Sequence, residues 1–394
     1  MKTSGLFVET ACKQACCGNN APCGDSFLQQ QFPAHGHTVL VLSDGMGHGV
    51  KAHLLSTLTA SIFIGMAGAP QSIEETARTV MQTLPVCSVR KISYSTFTLV
   101  DIDHRSGIVR LIEYDNPQAF IFRGTEPLQV ERQAHPYANP QTGRTQTFHT
   151  GSFTMRCGDR IVLATDGVTQ SGLGTDRYPF GWGRDNVQAF LNDRLHNEPD
   201  MPSATLAQRL LNQSVEHDDG TPHDDISCVA VHIREPRKAI LCSCPPSMTS
   251  DIALLADRLR NFDGRKIVCG HLLARQIAGY WGTGLRRQLT STDPELPPQW
   301  EIDGLDLVTE GLLTLSKTLE ILENYAEMPT GRGPAYHICE LLLACDRIEM
   351  IVGMRKSNTA AADAETLILR RKVLGAIART LETRFAKQVI TTYL

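Results

Sequence analysis

HTVLVLSDGMGHGVKA, residues 37–52, decides how the first half of the chain folds. A short apolar run rich in Val and Leu ends abruptly at Asp44-Gly45, and three more glycine and histidine positions follow before the pattern turns apolar again. This is a strand running into a glycine-rich turn, with helix-like periodicity over residues 49–67 beyond it. Further out, Ser72 and Glu75 form a capping box that predicts a helix over 73–84, stopped by Pro85. From Tyr94 the period changes to two: YSTFTLVDID, IVRLIEYDN and QAFIFRG read as consecutive antiparallel strands. Residues 125–150, polar and containing Pro and Gly, read as a loop or irregular hairpin. SFTMRCGDRIVLATDG (152–167) then gives a hairpin about Gly158-Asp159 and a strand into a second Asp-Gly turn. Residues 184–196 and 203–216 read as helices and ISCVAVHI (226–233) as a closing strand. Helices before and after a run of strands fit sheets held between helix layers.

REPRK (234–238) marks a boundary. Beyond it strands and helices alternate: strands at AILCSC, KIVCG, RIEMIVGM and QVITTYL, and helices over 249–260, 271–281, 308–326, 335–346 and 362–385. Such alternation predicts a smaller α/β domain with a mainly parallel sheet. The expected domains are therefore 1–235 and 238–394.

With 394 residues, 42% hydrophobic and 20% charged, the composition is that of an ordinary globular protein. The net charge of −4 and the lack of any Lys/Arg run argue against a nucleic-acid surface. The longest apolar tract, Leu54 to Ala69, is broken by Ser, Thr and Gly, so a buried helix is expected there and no membrane span. No export signal is legible at Lys2, so a cytoplasmic location is expected, in which the 12 cysteines would stay reduced. Cys228, Cys269, Cys339 and Cys345 sit in apolar runs and read as core residues. Cys12, Cys16, Cys17 and Cys23 form a local cluster whose spacing is not a common zinc pattern. It reads as free thiols, with a structural zinc or a redox role as the alternative. Cys242, Cys244, Cys269 and His271 are a second set able to converge, at strand ends of the second domain.

The chemistry-bearing residues are aspartates. Asp44-Gly45 follows VLVLS, Asp166-Gly167 follows IVLAT, Asp224-Asp225 precedes ISCVAV, and Asp25 follows Gly24. One Asp-Gly after a strand is usually only a turn. Several that converge would repel one another unless hard divalent cations held them, and Mg²⁺ and Mn²⁺ take oxygen ligands. Gly45 lacks a Cβ, which lets its carbonyl be approached closely.

The ordered strings CGDSF, VLSDGMGHGVKA, ATDGV and HDDIS resemble the motifs of the PPM family of metal-dependent protein serine/threonine phosphatases, and DGMGHG resembles its bacterial SpoIIE-type branch. The resemblance implies an α-β-β-α sandwich with two Mn²⁺ or Mg²⁺ ions between the sheets. It implies that Asp44 bridges both ions, that the Gly45 carbonyl binds one, that Asp166 and Asp224 bind the other, and that Asp25 reaches a metal directly or through water. Asp225 is the alternative to Asp224. The implied activity is hydrolysis of phosphoserine or phosphothreonine on a regulatory phosphoprotein in a signalling pathway, by a metal-activated water. Where many relatives carry a His as general acid this chain has Met46, and His48 is the candidate instead. Beyond residue 238, RKIVCGHLLARQIA and LDLVTEGLLTLSKTLEIL resemble the added C-terminal domain of a subgroup of that branch. The alternative function is a catalytically weak signalling scaffold whose C-terminal domain senses a ligand or partner. Oligomeric state, a dimer included, is left open.

Overall fold

In the computed structural model, residues 5–18, 22–47, 49–67, 73–83, 95–138, 143, 145–243, 250–288, 296–324, 331–353 and 361–394 are described. The chain divides into two compact units, Met1–Glu235 and Pro236–Leu394.

In chain order the first unit runs β1 (Phe7–Ala15), β2 (Asp25–Phe32), β3 (His37–Gly45), α1 (Val50–Met66), α2 (Ile73–Thr83), β4 (Ser95–Asp103), β5 (Ile108–Tyr114), β6 (Phe120–Arg123) and β7 (Glu126–Pro127). It continues through β8 (Arg132–Ala138), β9 (Thr145–Thr154), β10 (Asp159–Ala164), α3 (Asp166–Thr169), α4 (Arg184–Asn197), α5 (Ser203–His217) and β11 (Ile226–Arg234). One antiparallel sheet has the order β2-β3-β4-β5-β9-β8 and the other β1-β11-β10-β6-β7.

The run Val39–Leu42 is apolar without a break because β3 is covered on both faces. Its period-two geometry sorts the side chains into different cores. Leu40 and Leu42 meet Val8, Ile161, Leu163, Val229 and Val231 of the other sheet. Val39 and Val41 pack on Phe63 of α1 and on Ala77, Val80 and Met81 of α2. β11 does the same from the opposite side. Val229, Val231 and Ile233 face the first sheet, while Ile226, Cys228 and Ala230 pack on Val187, Leu191 and Leu195 of α4 and Leu206 and Leu210 of α5. The unit is therefore the four-layer α-β-β-α sandwich that the sequence leads one to expect.

Three features differ from the sequence reading. β1 and β2 were not expected; β1 is mostly half-buried and β2 ends in exposed glutamines, so neither shows an apolar run. The region 125–150, read as a loop or irregular hairpin, holds the β8–β9 hairpin, paired from Arg132↔Gly151 to Ala138↔Thr145, whereas the hairpin expected about Gly158-Asp159 does not form, because β9 and β10 lie in different sheets. The predicted helix at 308–326 instead starts with a buried strand over Leu307–Thr309.

The second unit runs β12 (Lys238–Ser243), α6 (Ser250–Asn261), β13 (Arg265–Cys269), α7 (His271–Trp281), β14 (Arg286–Arg287), β15 (Trp300–Glu301), β16 (Leu307–Thr309), α8 (Leu312–Asn324), α9 (Pro334–Leu343), β17 (Arg347–Val352), α10 (Ala361–Phe385) and β18 (Gln388–Tyr393). β16-β13-β12-β17-β18 are parallel, and short antiparallel β14 and β15 extend one edge. Ala239 and Leu241 of β12 pack with α8, α9 and α10, whereas Ile240 and Cys242 pack with α6 and α7. Cys269 lies in the first of these cores and Cys242 in the second, so they sit on opposite sheet faces and do not converge. Cys244 lies outside the described residues. No helix among the described residues is long and apolar enough to cross a membrane.

Candidate metal centre

β2 and β3 are antiparallel, so the first residue of one and the end of the other meet: Asp25 pairs in register with Asp44. β10 and β11 are likewise antiparallel, which brings Asp166, just beyond β10, beside Asp224 and Asp225, just before β11. Three glycines let these segments close on one another. A Cβ on Gly24 would stand 2.7 Å from Asp225 Oδ2, one on Gly167 2.4 Å from the Asp225 carbonyl oxygen, and one on Gly45 2.0 Å from the Ala52 carbonyl oxygen. Gly45 is therefore required by the first turns of α1, a packing reason that precedes any approach of a ligand.

Asp25 is 2% exposed. Its Oδ2 accepts hydrogen bonds from Thr165 Oγ1 (2.8 Å) and Ser227 Oγ (2.6 Å), while its buried Oδ1 meets no N–H or O–H donor. The carboxyl across from it is that of Asp44, its partner in register on β3. Asp166 opens α3 and its Oδ2 accepts from Gln170 Nε2 at 2.9 Å. The adjacent pair Asp224-Asp225 divides. Asp225 is buried and both its oxygens are occupied, Oδ1 by the Cys17 amide and Oδ2 by the Gly24 amide, each at 2.8 Å. Asp224 is exposed, and its charge acts on Asp44 and Asp166.

The carboxyls repel. Burial pushes Asp44 above the usual carboxylate range, and the charges of Asp25, Asp166 and Asp224 push it further. Burial raises Asp25 too, against the opposing bonds from Ser227 and Thr165 and with the charge of Asp225 adding to the rise. Asp166 is raised by burial and then by Asp224. An orphaned carboxylate oxygen at the centre of mutually repelling, oxygen-only donors is a set suited to hard divalent cations.

Of the residues singled out in the sequence, Asp25, Asp44, Asp166 and Asp224 come together, with Gly45 beside them; His48 lies outside the described residues. Sequence reasoning missed Thr165 and Ser227, which hold Asp25, and the structural part of Asp225. The only signal for the first two was their place one residue before Asp166-Gly167 and two after Asp225, on strands whose direction was already legible.

Residues 34–234, just over half of the chain, match the family model of stage II sporulation protein E (SpoIIE), and the chain belongs to that family. The stage II sporulation protein E of Bacillus subtilis (strain 168) is 22% identical over 233 residues, which is 59% of this chain and 26% of that protein. The protein of the same name from Priestia megaterium is 23% identical over 236 residues, 59% of this chain and 37% of that one. The chain thus spans well under half the length of these curated relatives. A solved structure of the PP2C phosphatase domain with a fragment of the regulatory domain of Bacillus subtilis SpoIIE is similar over 58% of this chain and 64% of that chain, with a TM-score of 0.47 and 20% identity.

Proposed function

We propose that the first unit is a metal-dependent protein serine/threonine phosphatase, with Asp25, Asp44, Asp166, Asp224 and the Gly45 carbonyl as ligands of two Mg²⁺ or Mn²⁺ ions, and a phosphoserine or phosphothreonine of a regulatory protein as substrate. The observation that carries this reading is the orphaned Asp25 oxygen facing Asp44 within a ring of repelling carboxylates. Membership of the SpoIIE family supports it. Bound metals of this class supply Lewis acidity toward a phosphoryl oxygen and a more acidic water. The chain's own residues hold the donors ready. Thr165 and Ser227 pin one Asp25 oxygen, which aims the other at Asp44. Gln170 orients Asp166, and Asp225, held by two backbone amides, fixes the backbone from which Asp224 projects. His48 is the candidate proton donor to the leaving oxygen, on its sequence position alone.

The test is hydrolysis of a phosphoserine peptide by the full chain. Turnover is expected only with added Mn²⁺ or Mg²⁺, and Asp44→Asn and Asp166→Asn each remove it while circular dichroism stays native. Metal-dependent turnover that survives both substitutions overturns the reading. Cation binding without turnover on any phosphopeptide would favour the scaffold reading instead.

A further inference from the structure

The aspartate centre leaves part of the N-terminal cysteine cluster unexplained. Cys16 lies just after β1 and Cys23 just before β2. Cys16 Sγ, Cys23 Sγ and a carboxylate oxygen of Asp225 all lie within 4.8 Å of one another. Buried thiols elsewhere, such as Cys228, Cys242 and Cys339, sit among apolar side chains in the cores. This pair instead faces a carboxylate.

We propose that Cys16, Cys23 and Asp225 form a second cation site, for one thiophilic divalent ion of the class of zinc, separate from the oxygen-lined centre. The donor chemistry separates the two sites: thiolates select borderline-soft metals, whereas oxygen-only sets select Mg²⁺ and Mn²⁺. Tetrahedral zinc with Zn–S near 2.3 Å and Zn–O near 2.1 Å puts its ligand atoms about 3.5–3.8 Å apart, so only a small closure of the present triangle is needed. The surroundings are built to hold the ligands. The Cys17 and Gly24 amides fix both oxygens of Asp225 yet leave each a lone pair. Gln14 Nε2 reaches Cys23 Sγ at 3.8 Å while bonding Ser227 Oγ at 2.9 Å, which ties one ligand to the strand that follows another. Cys16 is exposed and gives the ion its way in, with the fourth position open to water. The two sites adjoin without sharing a carboxylate: Asp25 turns its oxygens to Thr165, Ser227 and Asp44, and Asp225 turns its own away to Cys17 and Gly24. An ion there clamps the segment leading into Asp25 to the segment carrying Asp224.

Full-length chain, stripped with chelator and kept in a thiol-free reductant, is titrated with Co²⁺ and then Zn²⁺ in excess Mg²⁺. The expected result is a thiolate-to-cobalt charge-transfer absorption that one equivalent of Zn²⁺ abolishes. Cys16→Ser, at an exposed position that leaves the core intact, weakens zinc binding about tenfold or more. Asp44→Asn and Cys157→Ser, the latter in the turn before β10 at the other end of the sandwich, leave it unchanged. Absence of the charge-transfer band, or a band unchanged in Cys16→Ser, overturns the proposal. So does mass analysis of thiol-blocked protein that finds Cys16 and Cys23 joined as a disulfide. The readout is independent of phosphatase activity, so neither proposal falls with the other.

Discussion

Adjacent residues Asp224 and Asp225 are assigned opposite tasks, and exchanging each for asparagine separates them. Asp225 accepts from two backbone amides at 2.8 Å, one of them the buried amide of Gly24. Asparagine keeps one acceptor oxygen and turns an NH₂ toward the second amide. One hydrogen bond to a charged acceptor, about 1.5–3 kcal/mol, is lost, and two donors are left opposed. Loss of the Asp225 charge also eases the burden on Asp25, which returns part of that cost. A net destabilisation of about 1–3 kcal/mol is expected for Asp225→Asn. Asp224 is exposed, and its Oδ1 accepts the Asp225 amide at 2.8 Å, a bond asparagine preserves. Its variant is expected within about 0.5 kcal/mol of the parent, as for most surface changes, yet with Mn²⁺ affinity and turnover lost. Stability is best read in chelator by urea unfolding, with hydrogen exchange followed in peptides from residues 25–45, so that the first unit is observed by itself. The reasoning fails if Asp225→Asn leaves the midpoint unmoved while Asp224→Asn shifts it, or if Asp224→Asn retains full metal-dependent turnover.

Two further outcomes follow from the same geometry. Gly45→Ala places a Cβ 2.0 Å from a backbone oxygen of α1, so the helix start must shift, at a cost of about 1–3 kcal/mol or more, and thermal melting in chelator should show it. The metal-free chain should lose stability as pH rises from the ordinary carboxylate value of 3.8. The folded carboxyls of Asp25, Asp44 and Asp166 titrate above that value, so the folded state holds more protons than the unfolded one across the window. Millimolar Mg²⁺ should flatten the decline, and a melting temperature in chelator that rises through that window would contradict the assignment.

Much of this was legible because the decisive strands are buried on both faces. The unbroken run ending at Asp44 and the one ending at Ala164 announced themselves, and the turns beside them carried the aspartates. What was not legible lies at edges. β2 shows exposed Gln29–Gln31 on an outer strand, and β8 includes Pro136, which a central strand does not tolerate. The strand at Leu307–Thr309 hid because its apolar residues merge with the helix that follows Gly311. The roles of Asp224 and Asp225 were open for a different reason: they stand side by side in the segment before β11, and only the partners across the fold decide which of them meets the amides. His53, whose Nδ1 lies 2.8 Å from the Cys23 carbonyl, likewise carries no sequence signal for its partner.

The pairing of β1 with β11, from Phe7↔Arg234 to Ala15↔Ile226, joins the two extremes of the first unit. During synthesis β1 precedes the other strands of the unit and has no neighbour in its sheet until the last of them has been made. Loop-closure entropy and high contact order make this a late step. The acceptor for the Cys17 and Gly24 amides, and the Ser227 hydroxyl on Asp25, arrive with it. Cation capture at the aspartates is thereby tied to completion of the first unit: a nascent chain short of β11 has neither the closed sheet nor the assembled carboxylates.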